Sequence, residues 1–320
     1  QLAHGAVLGA GVTDTLGRQQ QTGDATPLDY SVREERSTRV IEGALSEDRA
    51  LAAYALGHLE PGLHHTAEFY VAEGPAGRGV VMHAHGMGQT TVVIGATEAI
   101  DAIMSIHPGA RRSYLSTATP EQLQRLSRRF RITDELPMRR MATTRASFEP
   151  VEGEVRRLSG HDVGRMNALY ASDGAPSLYR AETVNQAVYF GVFDGQRLAA
   201  VAGSHVVAPN ASIAVVGNVF TAADYRGCGL ATRTTSAVTE ALLTRGCADV
   251  ILTVDPMNTP AVRAYERLGY VFGSEVVEAR LQRTDLLGIG PALRRRAARR
   301  RGRYLQPPRQ EIVPWPGGRA

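Results

Sequence analysis

The chain has 320 residues, 43% of them apolar and 21% charged, which suits about two domains of ~150 residues and is too apolar for a wholly disordered chain. All 36 basic residues are arginine; with lysine absent there is no P-loop lysine, no kinase phosphate-pairing lysine and no Schiff base to pyridoxal phosphate or a carbonyl substrate. Cys228 and Cys247 form neither a disulfide framework nor a CxxC zinc pair, no run reaches the ~20 apolar residues of a bilayer span, and the first thirty residues lack a secretory pattern, so the expectation is a cytoplasmic protein without membrane contact.

In chain order, residues 1–37 show no sustained periodicity and read as a mobile lead-in. Residues 47–59 place Leu51, Tyr54, Ala55 and Leu59 at helical spacing, with Gly62 as the stop. Strand-like runs at 66–72, 79–85 and 90–95 follow, then a helix at 96–106, a short strand at 113–116, a helix opened by Thr119 and Pro120, and a strand at 139–148. Residues 38–149 therefore read as an α/β domain with its own sheet, and 149–154, with Pro150 and Gly153 among acids, as a linker.

A second pattern occupies 154–285. A helix at 161–170 and another within 176–188 precede strands at 189–193 and 198–207, joined by Asp194-Gly195, whose tolerance of positive φ marks a hairpin. A strand at 212–221, a helix at 229–245 and an apolar run at 250–254 come next. Thr259 as cap and Pro260 open a further helix ended by Gly269, before strands at 270–273 and 276–281. The fold class expected is α/β with a mixed sheet. Residues 291–320 carry nine arginines against Glu311, a charge of +8 that leaves the rest of the chain at −4, and read as a solvated Arg/Pro-rich tail able to touch phosphate backbones.

Between the 212–221 strand and the long helix lies Arg226-Gly227-Cys228-Gly229-Leu230-Ala231. Two glycines let backbone amides converge at a helix N-terminus, where unpaired N–H groups and the helix dipole favour a phosphate or pyrophosphate. Thr232 stands where the dinucleotide fingerprint needs its third glycine, so the loop is not that motif. The R-x-x-G-x-A pattern, followed about 27 residues later by Asn258-Thr259-Pro260-Ala261 and on to Tyr265, resembles the GCN5-related N-acetyltransferase (GNAT) superfamily over 154 to about 281. Two-domain relatives similar to the glycine N-acyltransferase-like group place a degenerate copy of the fold ahead of the active one, which the 66–148 pattern matches.

The resemblance implies acetyl-CoA as acyl donor, a small-molecule primary amine as acceptor, direct attack without a covalent enzyme intermediate, and no metal. It implies that Arg226, Gly227, Cys228, Gly229, Leu230, Ala231 and Thr232 hold the pyrophosphate. Asn218, Val219 and Phe220 would offer backbone groups to the pantetheine and the thioester oxygen, with Asn258 and Ala261 along the same arm. Tyr265 would protonate the leaving thiolate. Family members often carry a glutamate base near the third strand, yet 212–221 holds no acid; His205 is the first substitute, then Asp255, then water. Other readings are a non-catalytic acyl-CoA sensor and a protein N-acetyltransferase anchored to nucleic acid by the tail.

Overall fold

The computed structural model describes residues 29–85, 89–172, 174, 179–285 and 287–305. The expectations for residues 1–28 and 306–320 fall outside them.

Among the described residues, the first half runs β1 (Ser31–Glu35), α1 (Thr38–Leu45), α2 (Ala53–Gly57), β2 (Ala67–Gly74), β3 (Gly77–Ala84), β4 (Thr90–Gly95), α3 (Thr97–Ile106), β5 (Arg112–Ala118), α4 (Pro120–Leu126) and β6 (Phe130–Thr144). The second runs β7 (Arg156–Arg157), α5 (Val163–Ala171), α6 (Ala181–Gln186), β8 (Tyr189–Asp194), β9 (Arg197–Ala208), β10 (Ile213–Thr221), α7 (Leu230–Thr244), β11 (Asp249–Val254), α8 (Thr259–Arg267), β12 (Val271–Arg283), α9 (Ile289–Arg300) and β13 (Tyr304–Leu305).

Local chemistry accounts for most boundaries. Thr119 and Gln122 form a reciprocal capping box on α4. Gly195, at φ +55°, turns the β8–β9 hairpin. Other elements differ from the sequence reading. The helix expected at 47–59 is a 3-10 turn, Ser46–Asp48, followed by the short α2, because the Asp48 side chain accepts from Leu51 N at 2.9 Å and turns the chain. Residues 31–37, assigned to the lead-in, form β1 and the Ser37 cap of α1. Asn258, not Thr259, caps α8 through its Oδ1.

The strand expected at 139–148 begins earlier, at Phe130, and spans Pro137. Proline is tolerated there because β11 pairs β6 only from Arg139 onward, leaving one side of Pro137 without a ladder neighbour. The strands expected at 270–273 and 276–281 are one strand, β12, with register shifts between Phe272 and Ser274 and between Glu278 and Arg280.

The thirteen strands form one sheet in the order β13-β1-β2-β3-β4-β5-β12-β6-β11-β10-β9-β8-β7. The halves exchange strands: β6 pairs with β11 of the second half, β12 with β5 of the first, and β6 and β12 pair with each other at the centre. The sheet is thus continuous across the boundary read at 149–154. Helices α3 and α4 pack on one face of the first half with Val81, Val93 and Leu115, and α7 and α8 pack with Ala214, Val216, Val250 and Leu252 of the second. Helices α1 and α2 cover the opposite face, against Val71, Val80 and Val92, and reach across to Val215 and Ile251.

Arg140 on β6 is fully buried at this crossing. Its Nη1 donates to the carbonyls of Ala50 (3.2 Å) and Leu51 (3.5 Å), its Nη2 donates to Ser116 O (3.3 Å), and the Tyr54 ring lies 5.3 Å from its guanidinium. An exchanged strand thereby fixes the start of α2.

Within the described residues the arginine-rich segment folds onto the first half. Helix α9 packs against α3 through Ala298, and Arg294 Nε donates to Ser105 O at 2.9 Å. Tyr304 stacks on His107 and donates or accepts at its Nε2 (3.1 Å), while β13 adds in parallel to β1. Residues 289–305 are thus helix and strand packed on the first half rather than a free extension, with Arg296, Arg300 and Arg301 still exposed.

Candidate active site

Strands β10 and β11 are parallel neighbours only through Ile213–Val216 and Asp249–Leu252. Beyond Val216 they part, and residues 217–220 have no ladder partner on the β11 side. On the other side β10 is bulged: Gly217 pairs with Gly203 and Phe220 with Val201, leaving Asn218 and Val219 between them, and Asn218 has φ +54°. Tyr170 Oη donates to Asn218 O at 2.6 Å, and Asn218 Nδ2 donates to Tyr189 Oη at 2.8 Å. The sequence placed these backbone groups at the site; the structure commits the Asn218 carbonyl to Tyr170.

Residues 222–229 then lead into α7. Gly227 (φ +81°) and Gly229 (φ +74°) both take left-handed conformations, with open space where a Cβ would stand. Gly229 occupies the N-cap position without a side-chain cap, and the first bond into the helix runs from Arg233 N to Gly229 O at 3.1 Å. The amides of Leu230, Ala231 and Thr232 therefore have no intrahelical acceptor, and the first turn has no acid to repel an anion. Arg226 and Cys228 are exposed; Arg226 Nε donates to Thr221 O (3.2 Å), and Cys228 Sγ lies 3.8 Å from Arg226 O. This run of amides can hold a diphosphate.

Tyr265 on α8 packs with Val216, Val254, Val262 and Leu268 in the cluster that Val219 joins. Its hydroxyl makes no hydrogen bond among the described residues, and burial pushes its pKa up to about 12, so it carries its proton at neutral pH. Asn258 spends its side chain on the α8 cap, with Ala261 in the turn it caps. Asp255 is exposed and accepts from Met257 N at 2.8 Å.

His205 approaches the bulge from the other face. Its ring lies over Gly217, where a Cβ would collide with it. Solvent reaches the ring, but the surrounding protein disfavours the imidazolium and lowers its pKa, with the Asn218 side chain and Glu278 acting in the opposite sense. Nδ1 bonds the Tyr54 hydroxyl at 2.9 Å. The structure thus gathers Asn218 and His205 with Tyr54, Tyr170 and Tyr189, three residues the sequence reading had not connected to the site. Tyr54 lies more than 150 positions before His205, so no local spacing links them.

The histidines His83 and His85 do not share a ligand set. His83 is buried, with Nδ1 on Thr91 Oγ1 (3.1 Å) and Nε2 on His107 O (3.0 Å). Among the described residues no group of three or more His, Cys, Asp or Glu could hold a metal ion, and no helix is long and apolar enough to cross a membrane.

Comparison with known proteins adds a family. Residues 164–270 match the Acetyltransferase (GNAT) family. Of solved structures, a Drosophila melanogaster protein is 15% identical, with 76% of this chain and 87% of that one covered and a TM-score of 0.53. A GCN5-related N-acetyltransferase from Kribbella flavida is 18% identical over 74% of this chain and 95% of its own, with a TM-score of 0.48. A Novosphingobium aromaticivorans protein described as a GNAT-family acetyltransferase is 23% identical over 63% and 91%, with a TM-score of 0.47. No curated protein matches the chain. The Drosophila likeness is one of fold, and its coverage extends beyond the family match. The splayed strands and the glycine loop both lie within residues 164–270, the part of this chain that matches the acetyltransferase (GNAT) family.

Proposed function

We propose that the second half transfers an acetyl group from acetyl-CoA to the primary amine of a small molecule, by direct attack of the amine on the thioester, in the cytoplasm. The observation that carries this reading is the uncapped start of α7 behind two left-handed glycines, at the end of a strand that has parted from its parallel neighbour. Amides of residues 227–232 would hold the pyrophosphate, with Arg226 adding charge at its edge. The unpaired side of residues 218–220 would take the pantetheine and polarise the thioester oxygen as the new C–N bond forms. Tyr265, protonated at neutral pH, would give its proton to the departing thiolate as the C–S bond breaks.

The amine's own proton goes to solvent in this reading, since His205 Nδ1 is occupied by Tyr54 and the exposed Asp255 has its Oδ1 turned to Met257 N. Calorimetric titration of acetyl-CoA into the full chain, followed by thiol release with a panel of amines, tests it. Binding that disappears in Gly229→Val together with amine-dependent thiol release supports it. Absence of heat with any CoA derivative overturns it, and binding without turnover on any amine leaves the sensor reading standing instead.

A further inference from the structure

Strand bulges that carry left-handed, non-glycine residues are strained, and something around them must hold the conformation. Asn218, at φ +54°, is such a residue, and its backbone carbonyl is already held by Tyr170. Its side chain is held as well. Asn218 Nδ2 donates to Tyr189 Oη at 2.8 Å. The His205 ring packs against Gly217, the residue before Asn218, so closely that a Cβ there would collide with Cε1, Nε2 and Nδ1.

The proton positions follow from the partners. Tyr54 has His205 Nδ1 as the single hydrogen-bond partner of its hydroxyl among the described residues. A hydroxyl with one partner that can accept donates to it, since the reverse arrangement would leave its own hydrogen unpaired. Burial raises the Tyr54 pKa to about 12, so the proton is present at neutral pH. Nδ1 is then an acceptor and the ring hydrogen sits on Nε2.

We propose that the first half sets the shape of the reactive bulge through a chain of contacts, from Tyr54 on α2, whose hydroxyl bonds His205 on β9, to the His205 ring packed against Gly217 beside Asn218 on β10, so that Tyr54 and His205 are positioning residues. The importance of the bulge rests on the acyl-transfer reading above; the chain itself rests on geometry. Arg140, on the strand exchanged between the halves, holds the α2 end of it through Ala50, Leu51 and the Tyr54 ring. A residue on the first half thereby bears on the chemistry of the second without touching the reacting atoms.

Three variants of the full chain test this: Tyr54→Phe, His205→Gln and His205→Ala. Each is measured for acetyl-CoA affinity by calorimetry, for kcat against pH, and for its urea midpoint to confirm folding. Phenylalanine keeps the ring on Arg140 and removes only the hydroxyl; glutamine keeps an N–H donor near the position of Nε2. Since displacements of ~1 Å cost up to ~100-fold, kcat is expected to fall about 10-fold in Tyr54→Phe and about 100-fold in His205→Ala, with acetyl-CoA affinity within about 2-fold of wild type. His205→Gln is expected to recover about 10-fold over His205→Ala and to keep the acid limb of the pH profile. Turnover unchanged in Tyr54→Phe, or His205→Gln as slow as His205→Ala with that limb lost, overturns the proposal, the second outcome making His205 a base. Wild-type chain that binds no acetyl-CoA would instead sink the acyl-transfer reading, a result separable from both.

Discussion

The two halves share a plan, yet one is open where the other is sealed. In the second half β10 and β11 part after Val216 and leave the bulge without a ladder partner on that side. In the first, β4 and β5 pair only at Thr90–Tyr114 and Thr91–Leu115, but the gap beyond is filled: buried Thr117 Oγ1 accepts from Val93 N and donates to Val93 O, both at 3.0 Å. Gln122 Nε2 donates to Gly95 O at 2.8 Å. The helix starts differ too. Ala96 alone separates β4 from α3, whose first turn carries Glu98, whereas residues 222–229 precede an α7 whose first turn has no acid. Parting strands therefore do not make a site. A binding site needs the gap left unfilled and a loop of positive-φ glycines long enough to turn amides outward.

The largest expected effect tests the open half. Gly229→Val places a β-branched residue at φ +74°, a conformation that costs such residues roughly 1–2 kcal/mol and blocks the amide cradle. Acetyl-CoA binding by calorimetry should weaken at least about 100-fold, with folding retained because the loop is exposed. Tyr265→Phe should leave that binding intact and slow thiol release by about 10²–10⁴, the usual contribution of a positioned acid; a smaller loss would move the acid elsewhere.

Thr117→Val tests the sealed half. Val93 N and O lose their partner inside the sheet, so the urea midpoint should fall by the equivalent of about 1–3 kcal/mol while acetyl-CoA affinity stays at the wild-type value. A change in affinity without loss of stability would mean that the first half takes part in binding after all.

The smallest effect concerns pH. Burial, with Arg295, His83 and Arg299 adding to it, lowers the pKa of His107 to about 3, between the Tyr70 and Tyr304 rings. That value lies below the ~6.5 of an unfolded histidine, so the unfolded chain takes up the proton first. Stability from this group is complete above about pH 6.5 and is lost as pH falls toward 3. Urea midpoints should drop between pH 7 and 4.5, and His107→Phe, which cannot titrate, should flatten that slope.

Much of the site was legible because it is local. Gly227, Gly229 and the start of α7 lie within a few residues, and the bonds that shape them are made inside that stretch. Asn258 and Tyr265 follow on one helix at readable spacing. Tyr54 was legible only as part of an amphipathic face, since its hydroxyl acts on a histidine in the other half. The packing of 289–305 was hidden for the same reason: the arginines are largely exposed, as their density suggests, but Arg294 and Tyr304 find partners at Ser105 and His107, far back in the chain.

By itself the sequence determined the glycine loop, the β8–β9 hairpin and most helices and strands between residues 66 and 267, all set by neighbours within a turn or two where propensity and backbone sterics decide. Only the tertiary structure decided that β6 and β12 change places, that Thr117 closes one gap while its counterpart stays open, and that α2 stands beside His205. Those outcomes depend on which distant backbone groups find partners once the sheet is assembled, and no spacing along the chain records that.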